Sequence, residues 1–217
     1  RDRESRIWIG TIKGGCNIID VQKGRFTSVV RQPFSHNTIP VNTVYSFCED
    51  DGHDLLIGTD GGGLSIWNRA SNRFTNYNHE PGNPASLSHN SVIKILQDHT
   101  GMIWVATYGG GISQFNKASG RFTPIPYTDE QTGLENRNIS LLYEDKSQTI
   151  WTSGFNDGRL SRYDRNSGKF VLFDPSLSSL ISMKEDRQGN LCAGNSDMLI
   201  RLDRIHKKHT VYSIGRP

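Results

Sequence analysis

Apolar and polar residues alternate along short stretches of this chain, and the spacing is that of strands rather than helices. The clearest unit spans residues 91–126, where turn residues rich in glycine, asparagine and serine separate four apolar stretches. These predict strands at 91–97, 102–107, 112–115 and 121–126, the last with prolines that suit the edge of a sheet. The pattern predicts a sheet of four antiparallel strands with no helix in the unit.

The same unit recurs along the chain at a nearly constant period. An aromatic residue that follows Gly or Asn and a basic residue recurs at equal intervals, at Phe26, Phe74, Phe122 and Phe170. A second marker is a short strand that recurs in five copies, centred on Trp8, Leu56, Trp104, Trp151 and Cys192. The spacing of the first four copies agrees closely with that of the aromatic residue, whereas the fifth copy follows after a shorter interval. A third is Asn42, Asn90 and Asn138, each leading into an apolar strand. Three markers in constant order indicate a repeat protein.

Four antiparallel strands in a repeat of this length are typical of a β-propeller blade. We therefore predict an all-β chain, residues 1–217, consisting of about five four-stranded blades cut from a larger propeller. The predicted blades span residues 6–31, 43–79, 91–127, 138–173 and 180–215. The first of these lacks its innermost strand.

Composition and charge exclude several classes of function. The net charge is +3 and the basic residues are dispersed, so we expect no nucleic acid to bind this segment. No stretch is long and apolar enough to cross a membrane, so any targeting or anchoring segment is expected to lie outside these residues. Cys16, Cys48 and Cys192 occupy apolar repeat positions and are predicted to be small core residues.

The candidate catalytic and metal-binding motifs have structural interpretations. The glycine-rich phrases at 58–63 and 107–111 precede strands, which predicts tight turns and not phosphate cradles. Acidic pairs precede the second strand of the repeats, and we interpret the aspartates as acceptors for turn N–H groups rather than as glycosidase carboxylates. His206 and His209 are three apart on a predicted strand, which places them on opposite faces. No catalytic residue, metal site or cofactor is predicted.

Residues that depart from the repeat lie in loops on one predicted rim. The turn after the second strand and the linker between blades emerge on the same face of a propeller, so the turns are expected to cluster with linkers 77–89 and 127–137. The candidate ligand-binding residues are Lys13, Asp60, Tyr77, His79, His89, Tyr108, Asn156 and Asp157. Aromatic, amide and carboxylate groups suit glycans and protein partners equally well, and ordinary solvated loops also have this composition.

The phrases "GGGLSIWNRASNRFTNY" and "SLSHNSVIKILQDHTGMIWVAT" resemble the two-component regulator propeller repeat. Leu56 and Cys192 depart from its tryptophan. The resemblance implies the periplasmic sensor region of a Bacteroides-type hybrid two-component system, built from seven-bladed propellers and followed by a membrane helix and a histidine kinase. It also implies control of polysaccharide-utilisation genes. No kinase motif occurs in this chain.

We therefore predict a periplasmic, ligand-sensing module that is not itself an enzyme. Its expected partners are an oligosaccharide, the remaining blades and signalling domains of its parent chain, and a second copy in a homodimer. A propeller lyase or glycosidase is the alternative of a different class. A scaffold for protein partners is the third possibility.

Overall fold

The computed structural model describes residues 2–126, 137–156, 158–203, 206 and 208–213. Within these residues the chain forms nineteen β-strands and no helix. None of the described segments is a helix that could cross a membrane.

The strands form five antiparallel sheets in chain order, numbered here sheets 1 to 5. Sheet 1 contains β1 (Ile7–Gly10), β2 (Cys16–Asp20) and β3 (Arg25–Val29), and sheet 2 contains β4 (Val44–Glu49), β5 (Leu55–Thr59), β6 (Leu64–Asn68) and β7 (Arg73–Tyr77). Sheet 3 contains β8 (Val92–Gln97), β9 (Ile103–Thr107), β10 (Gly111–Asn116) and β11 (Arg121–Ile125). Sheet 4 contains β12 (Ile139–Glu144), β13 (Ile150–Gly154), β14 (Gly158–Asp164) and β15 (Lys169–Ser178), and sheet 5 contains β16 (Ser182–Glu185), β17 (Leu191–Gly194), β18 (Met198–Asp203) and β19 (Lys208–Ser213).

The all-β prediction is confirmed, and each sheet is a simple meander of consecutive strands. Within the described residues, sheet 1 has three strands and each of the other four sheets has four. In sheet 3 the observed strands begin and end within one residue of those predicted from the alternating pattern.

The chain divides into two compact units. Unit 1 comprises Arg1–Thr107 and Ser113–Thr123, and unit 2 comprises Tyr108–Ile112 and Pro124–Pro217. Unit 1 holds sheets 1 and 2 and most of sheet 3, and unit 2 holds sheets 4 and 5.

In unit 1 the second strand of sheet 2 is covered on both faces. Every residue of β5 is buried. Leu55 and Ile57 join an apolar cluster with Cys16 and Ile18 of sheet 1, whereas Leu56 joins the cluster that contains residues of sheet 3. Since successive strand residues point to opposite faces, sheet 2 packs against both neighbours face to face.

An apolar cluster lies between the two sheets of unit 2. Trp151 of β13 is fully buried and makes an edge contact with Phe173, with ring centroids 4.7 Å apart. Leu141, Met183 and Ala193 belong to the same cluster.

A turn aspartate recurs in the sheets and is bonded as predicted for the acidic pairs. Asp98 accepts hydrogen bonds from the N–H groups of Thr100 at 2.9 Å and Met102 at 3.1 Å, and its other oxygen accepts the indole N–H of Trp104 at 3.0 Å. Asp145 binds Trp151 in the same way, at 2.8 Å. The equivalents in sheets 1, 2 and 5 are Asp2, Asp50 and Asp186. These carboxylates are structural parts of the turns.

The side chain before three of the turn aspartates reaches the preceding sheet. Glu49 accepts the backbone N–H of Arg3 at 2.8 Å. Gln97 accepts that of Asp51 at the same distance. In unit 2, Glu185 accepts the N–H of Lys146, again at 2.8 Å. At this repeat position, the side chain therefore accepts a hydrogen bond from a backbone N–H group of the preceding sheet.

A basic residue after the third strand adds a second link between sheets in unit 1. Arg69 donates to Asp2 of sheet 1 at 2.9 Å and also pairs with Glu49. Lys117, at the equivalent position of the next repeat, pairs with Asp50 and lies 2.7 Å from Asp54 of sheet 2. The cation supplies a donor to Asp50, whose sheet has Leu56 where sheets 1, 3 and 4 have a tryptophan indole.

Among the cysteines and the paired histidines, the structure confirms the core position of Cys16, whereas His206 lies in a turn and not on the strand predicted for both histidines. Cys16 is buried, and the other two cysteines are half-buried. His206 is exposed in a turn, whereas His209 is half-buried and lies 2.8 Å from a carboxylate oxygen of Asp174. The two histidines therefore have separate surroundings.

Candidate ligand-binding rim

The candidate residues lie near a junction that recurs between successive repeats. At this junction, the turn after the second strand of one repeat contacts the residue before the first strand of the following repeat. In unit 1 the N–H of Gly15 donates to Asn42 O at 2.7 Å, and the N–H of Gly63 donates to Asn90 O at 2.8 Å. Each turn is thereby held against the linker that follows its sheet. We call these turns and linkers the rim.

The repeated asparagine supports the rim with its side chain as well. The Asn42 carboxamide oxygen accepts the N–H of Arg31 at 2.6 Å, and that of Asn90 accepts the N–H of His79 at 2.7 Å. The amide therefore closes the segment between one sheet and the next. The regular spacing of these asparagines indicated the repeat position, but not this bond.

Lys13 lies in the turn between β1 and β2 with a left-handed backbone. Its φ is 73°, and its repeat equivalents Gly61 and Gly109 have φ values of 84° and 100°. Lys13 is exposed. An extended basic side chain thus replaces glycine at a conformation that residues with a Cβ rarely adopt.

Asp60 is at the centre of a small polar cluster in unit 1. It accepts hydrogen bonds from the Tyr45 hydroxyl at 3.1 Å and from the Ser91 hydroxyl. Burial and the adjacent Asp60 carboxylate raise the pKa of Tyr45. Sequence reasoning missed Tyr45, which lies where the pairing of β4 with β5 shifts register between Val44 and Ser46. The exposed carboxylate is therefore held in one orientation by two hydroxyls.

The three candidates on the linker of residues 77–89 differ in their surroundings. The ring of Tyr77 is half-buried against Phe115 and Phe122, with centroids 5.0 and 6.0 Å away. This residue therefore packs against the core cluster of unit 1, and its burial raises the pKa of its hydroxyl.

The two histidines of that linker are exposed. Nδ1 of His79 lies 2.8 Å from Leu87 O, and Nδ1 of His89 accepts the N–H of Ser91 at 3.1 Å. Each uses one ring nitrogen to order its own loop. The other ring nitrogen, Nε2, has no hydrogen-bond partner within the described part of the chain.

The candidates of unit 2 form a separate group. Tyr108 is 45% exposed, and its ring centroid lies 5.8 Å from that of Phe155. Tyr108 also forms a β-bridge with Asn138. Asn156 is exposed with φ 54°. Asp157 and linker residues 127–136 lie outside the described residues.

The rim presents aromatic, amide, carboxylate and ammonium groups on ordered turns. Within unit 1 the structure brings Asp60 together with the segment 89–91, and within unit 2 it brings Tyr108 together with the turn at 155–156. Such groups can hydrogen-bond and stack on a polar ligand. The turn aspartates, in contrast, are committed to backbone donors and to side-chain donors such as the Trp104 indole and the Lys117 ammonium.

Comparison with known proteins finds a family model that matches one segment of the chain. Residues 86–109 match the family model described as two component regulator propeller. None of the curated proteins matches the chain.

Solved structures share the fold over nearly the whole chain. The extracellular domain of the hybrid two component system BT3049 from B. thetaiotaomicron is similar with a TM-score of 0.80 and 24% identity, over 97% of this chain and 28% of that one. The corresponding domain of BT4673 from the same organism is similar with a TM-score of 0.79 and 19% identity, over 99% of this chain and 30% of that one. The chain therefore spans less than a third of either protein.

A third similar structure is an inactive variant of virginiamycin B lyase from Staphylococcus aureus. Its TM-score is 0.73 with 12% identity, over 100% of this chain and 69% of that one. At this identity the likeness shows the fold alone. The chain is thus a β-propeller segment with the fold of hybrid two component extracellular domains, and its residues 86–109 match the model of the two component regulator propeller.

Proposed function

We propose that the chain is a ligand-sensing part of the periplasmic region of a hybrid two-component signalling protein. The observation that carries the proposal is the family match at residues 86–109. The fold shared with two extracellular domains of such systems supports it. Both comparisons agree with a role that is not enzymatic.

The ligand in this proposal is an oligosaccharide, and the output is control of polysaccharide-utilisation genes. The exposed groups of the rim support a polar, polyhydroxylated ligand, since a tyrosine ring can stack on a sugar and amide, carboxylate and ammonium groups can hydrogen-bond its hydroxyls. Within unit 1, Lys13 and Asp60 are the contacts proposed first, followed by His79 and His89. Within unit 2, the proposed contacts are Tyr108 and Asn156.

The remaining blades and signalling domains of a longer parent chain, and a second copy of it, are the proposed partners. Binding alone transmits nothing: a ligand shifts a signalling equilibrium only if it binds one arrangement of the sensor more tightly than the other. The proposed output therefore requires a ligand whose affinity differs between two arrangements of the homodimer.

Thermal unfolding of the chain with a panel of neutral and acidic oligosaccharides tests the proposal. A ligand at one hundred times its Kd adds about 2.7 kcal/mol, which raises Tm by about 5–10 °C in a chain of this size. Lys13→Gly is the variant of choice, because glycine suits the left-handed backbone and removes only the side chain. Its folding should be intact and its ligand-induced shift smaller.

Two results would overturn the proposal. If no oligosaccharide raises Tm, the scaffold alternative gains support. If an oligosaccharide is cleaved during incubation, and one rim substitution abolishes that turnover, the chain is a lyase or glycosidase.

A further inference from the structure

A groove in unit 1 lies outside the rim residues singled out above. It runs between the linker of residues 30–40 and the outer strand β7, and its volume is about 640 Å³. Phe34, Arg31 and His36 contribute to one wall, and Asn76 and Asn78 to the other. Gln32 also lines it.

Phe34 has a left-handed backbone conformation that glycine adopts with less strain. Its φ is 69° and its side chain is fully exposed. The equivalent position of the next repeat is Gly82, with φ 83°. A bulky residue in the left-handed region is an outlier, and an exposed ring gains nothing from burial. Such strain is typical of residues retained for function.

The linker that carries Phe34 is anchored on both sides. The Asn37 carboxamide donates to Asn72 O at 2.9 Å and accepts the N–H of Phe74 at 2.7 Å. The Thr38 hydroxyl donates to Val30 O at 2.8 Å, and Ile39 is fully buried. The ring is therefore presented from an ordered segment, which lowers the entropy lost on binding.

The chemistry of the groove favours an anionic sugar. An exposed aromatic ring can stack on the C–H face of a sugar, and the carboxamides of Gln32, Asn76 and Asn78 can both donate to and accept from hydroxyls. The lining residues, all of them described, include no aspartate or glutamate. Neither Arg31 nor His36 makes an ion pair in the described part of the chain. An unpaired guanidinium is a strong partner for a carboxylate or sulfate.

We propose that this groove binds an acidic oligosaccharide, with one sugar ring stacked on Phe34 and its anionic group paired with Arg31. The inference rests on the proposed function and specifies a ligand class and a site for it. The anionic group is a uronate carboxylate or a sulfate ester, because both suit a guanidinium.

Isothermal titration calorimetry of the chain tests the proposal with three probes. These are a tetragalacturonate, a heparin-derived hexasaccharide and neutral cellohexaose. At least one acidic probe should bind about tenfold more tightly than cellohexaose, and the stronger of the two identifies carboxylate or sulfate as the recognised group. Affinity should fall with added salt, as expected of a charge pair at the surface.

Phe34→Gly is the decisive variant, because glycine suits the backbone and should leave Tm within about 3 °C of the wild-type value. We expect it to weaken acidic-sugar binding at least about tenfold, as removal of an aromatic anchor does. Arg31→Gln should weaken binding about tenfold and flatten the salt dependence. Phe26→Ala, which removes an exposed ring outside the groove, should leave binding unchanged.

The outcomes separate this inference from the proposed function. If an oligosaccharide binds but Phe34→Gly binds it equally well, the groove proposal is wrong and the sensor role stands. If neutral and acidic sugars bind equally, the anionic specificity is wrong. If no sugar binds the chain, both proposals fall.

Discussion

Replacing Asp98 by alanine should destabilise unit 1 mainly through Trp104. The Asp98 carboxylate is 4% exposed and the Trp104 side chain is fully buried. Burial alone would raise the pKa of Asp98, but hydrogen bonds from Thr100, Trp104 and Met102 outweigh it and hold the pKa below its usual value. The ionised carboxylate is therefore the form that stabilises the fold.

The expected magnitude follows from the donors that lose their acceptor. A buried indole N–H without a partner costs about 1–3 kcal/mol. The Thr100 hydroxyl and the two turn N–H groups of Thr100 and Met102 lie in a partly exposed turn and can bind water, so these three donors together add about 1 kcal/mol. The sum is about 2–4 kcal/mol, a large fraction of the stability of a typical domain.

A double-mutant cycle isolates the indole bond. Asp98→Ala, Trp104→Phe and the double variant would be unfolded in urea and followed by far-ultraviolet circular dichroism, with hydrogen exchange of residues 103–107 as a local measure. Because the chain has two units, the transition of unit 1 must be resolved before two-state analysis is applied. We expect a coupling energy of about 1–3 kcal/mol.

Asp186→Ala provides a matched control, since its sheet has Cys192 where sheets 1, 3 and 4 have tryptophan. Its effect should be smaller and independent of any indole. A coupling energy within about 0.5 kcal/mol of zero for the Asp98 and Trp104 pair would refute the reasoning, because independent sites add to that accuracy.

Three further predictions follow from buried or paired groups. Lys117→Met should destabilise the chain by about 1–2 kcal/mol in urea unfolding, because it leaves Asp50 without its cation. This value is reduced by the partial exposure of the lysine. Lys117→Arg should retain most of the stability. Hydrogen bonds outweigh burial and lower the pKa values of Asp174 and Asp98. The contribution of these two carboxylates to stability is therefore complete above the unfolded pKa of about 3.9 and is lost as pH falls through the lower folded value. The Tm measured against pH should decrease below about pH 4, and a flat profile to pH 2 would contradict this. Burial raises the pKa of Cys16 to about 12, so a thiol reagent at pH 8 should label Cys16 only after unfolding, and rapid labelling of the folded chain would show that the site opens.

The repeat in the sequence predicted the sheets closely because their strands depend on local alternation and on turn residues at constant spacing. It also predicted that the turn aspartates accept backbone N–H groups, which is a local interaction. The donor that replaces the missing indole at Asp50, which is the ammonium group of Lys117, was not predictable in this way. Lys117 reaches Asp50 from 67 positions later in the chain, and only the stacking of sheets brings them together.

The rim was predicted less well for the same reason. Tyr77 has a rim-like position in the sequence, yet its ring packs on two phenylalanines of sheet 3. Tyr45 was missed because a register shift in its strand places its hydroxyl on Asp60. Phe34 had a signal that sequence alone contains: it stands where the next repeat has Gly82.

The bonds from Glu49, Gln97 and Glu185 to the preceding sheet have a consequence for how such a chain can change. Each of these side chains accepts a main-chain N–H, which every residue except proline supplies. The partner positions, Arg3, Asp51 and Lys146, are accordingly unalike in charge. Copies of the repeat can therefore be duplicated, exchanged or allowed to diverge without matched substitutions in the neighbouring sheet. The one requirement is that no proline occupies the turn position that donates this N–H group.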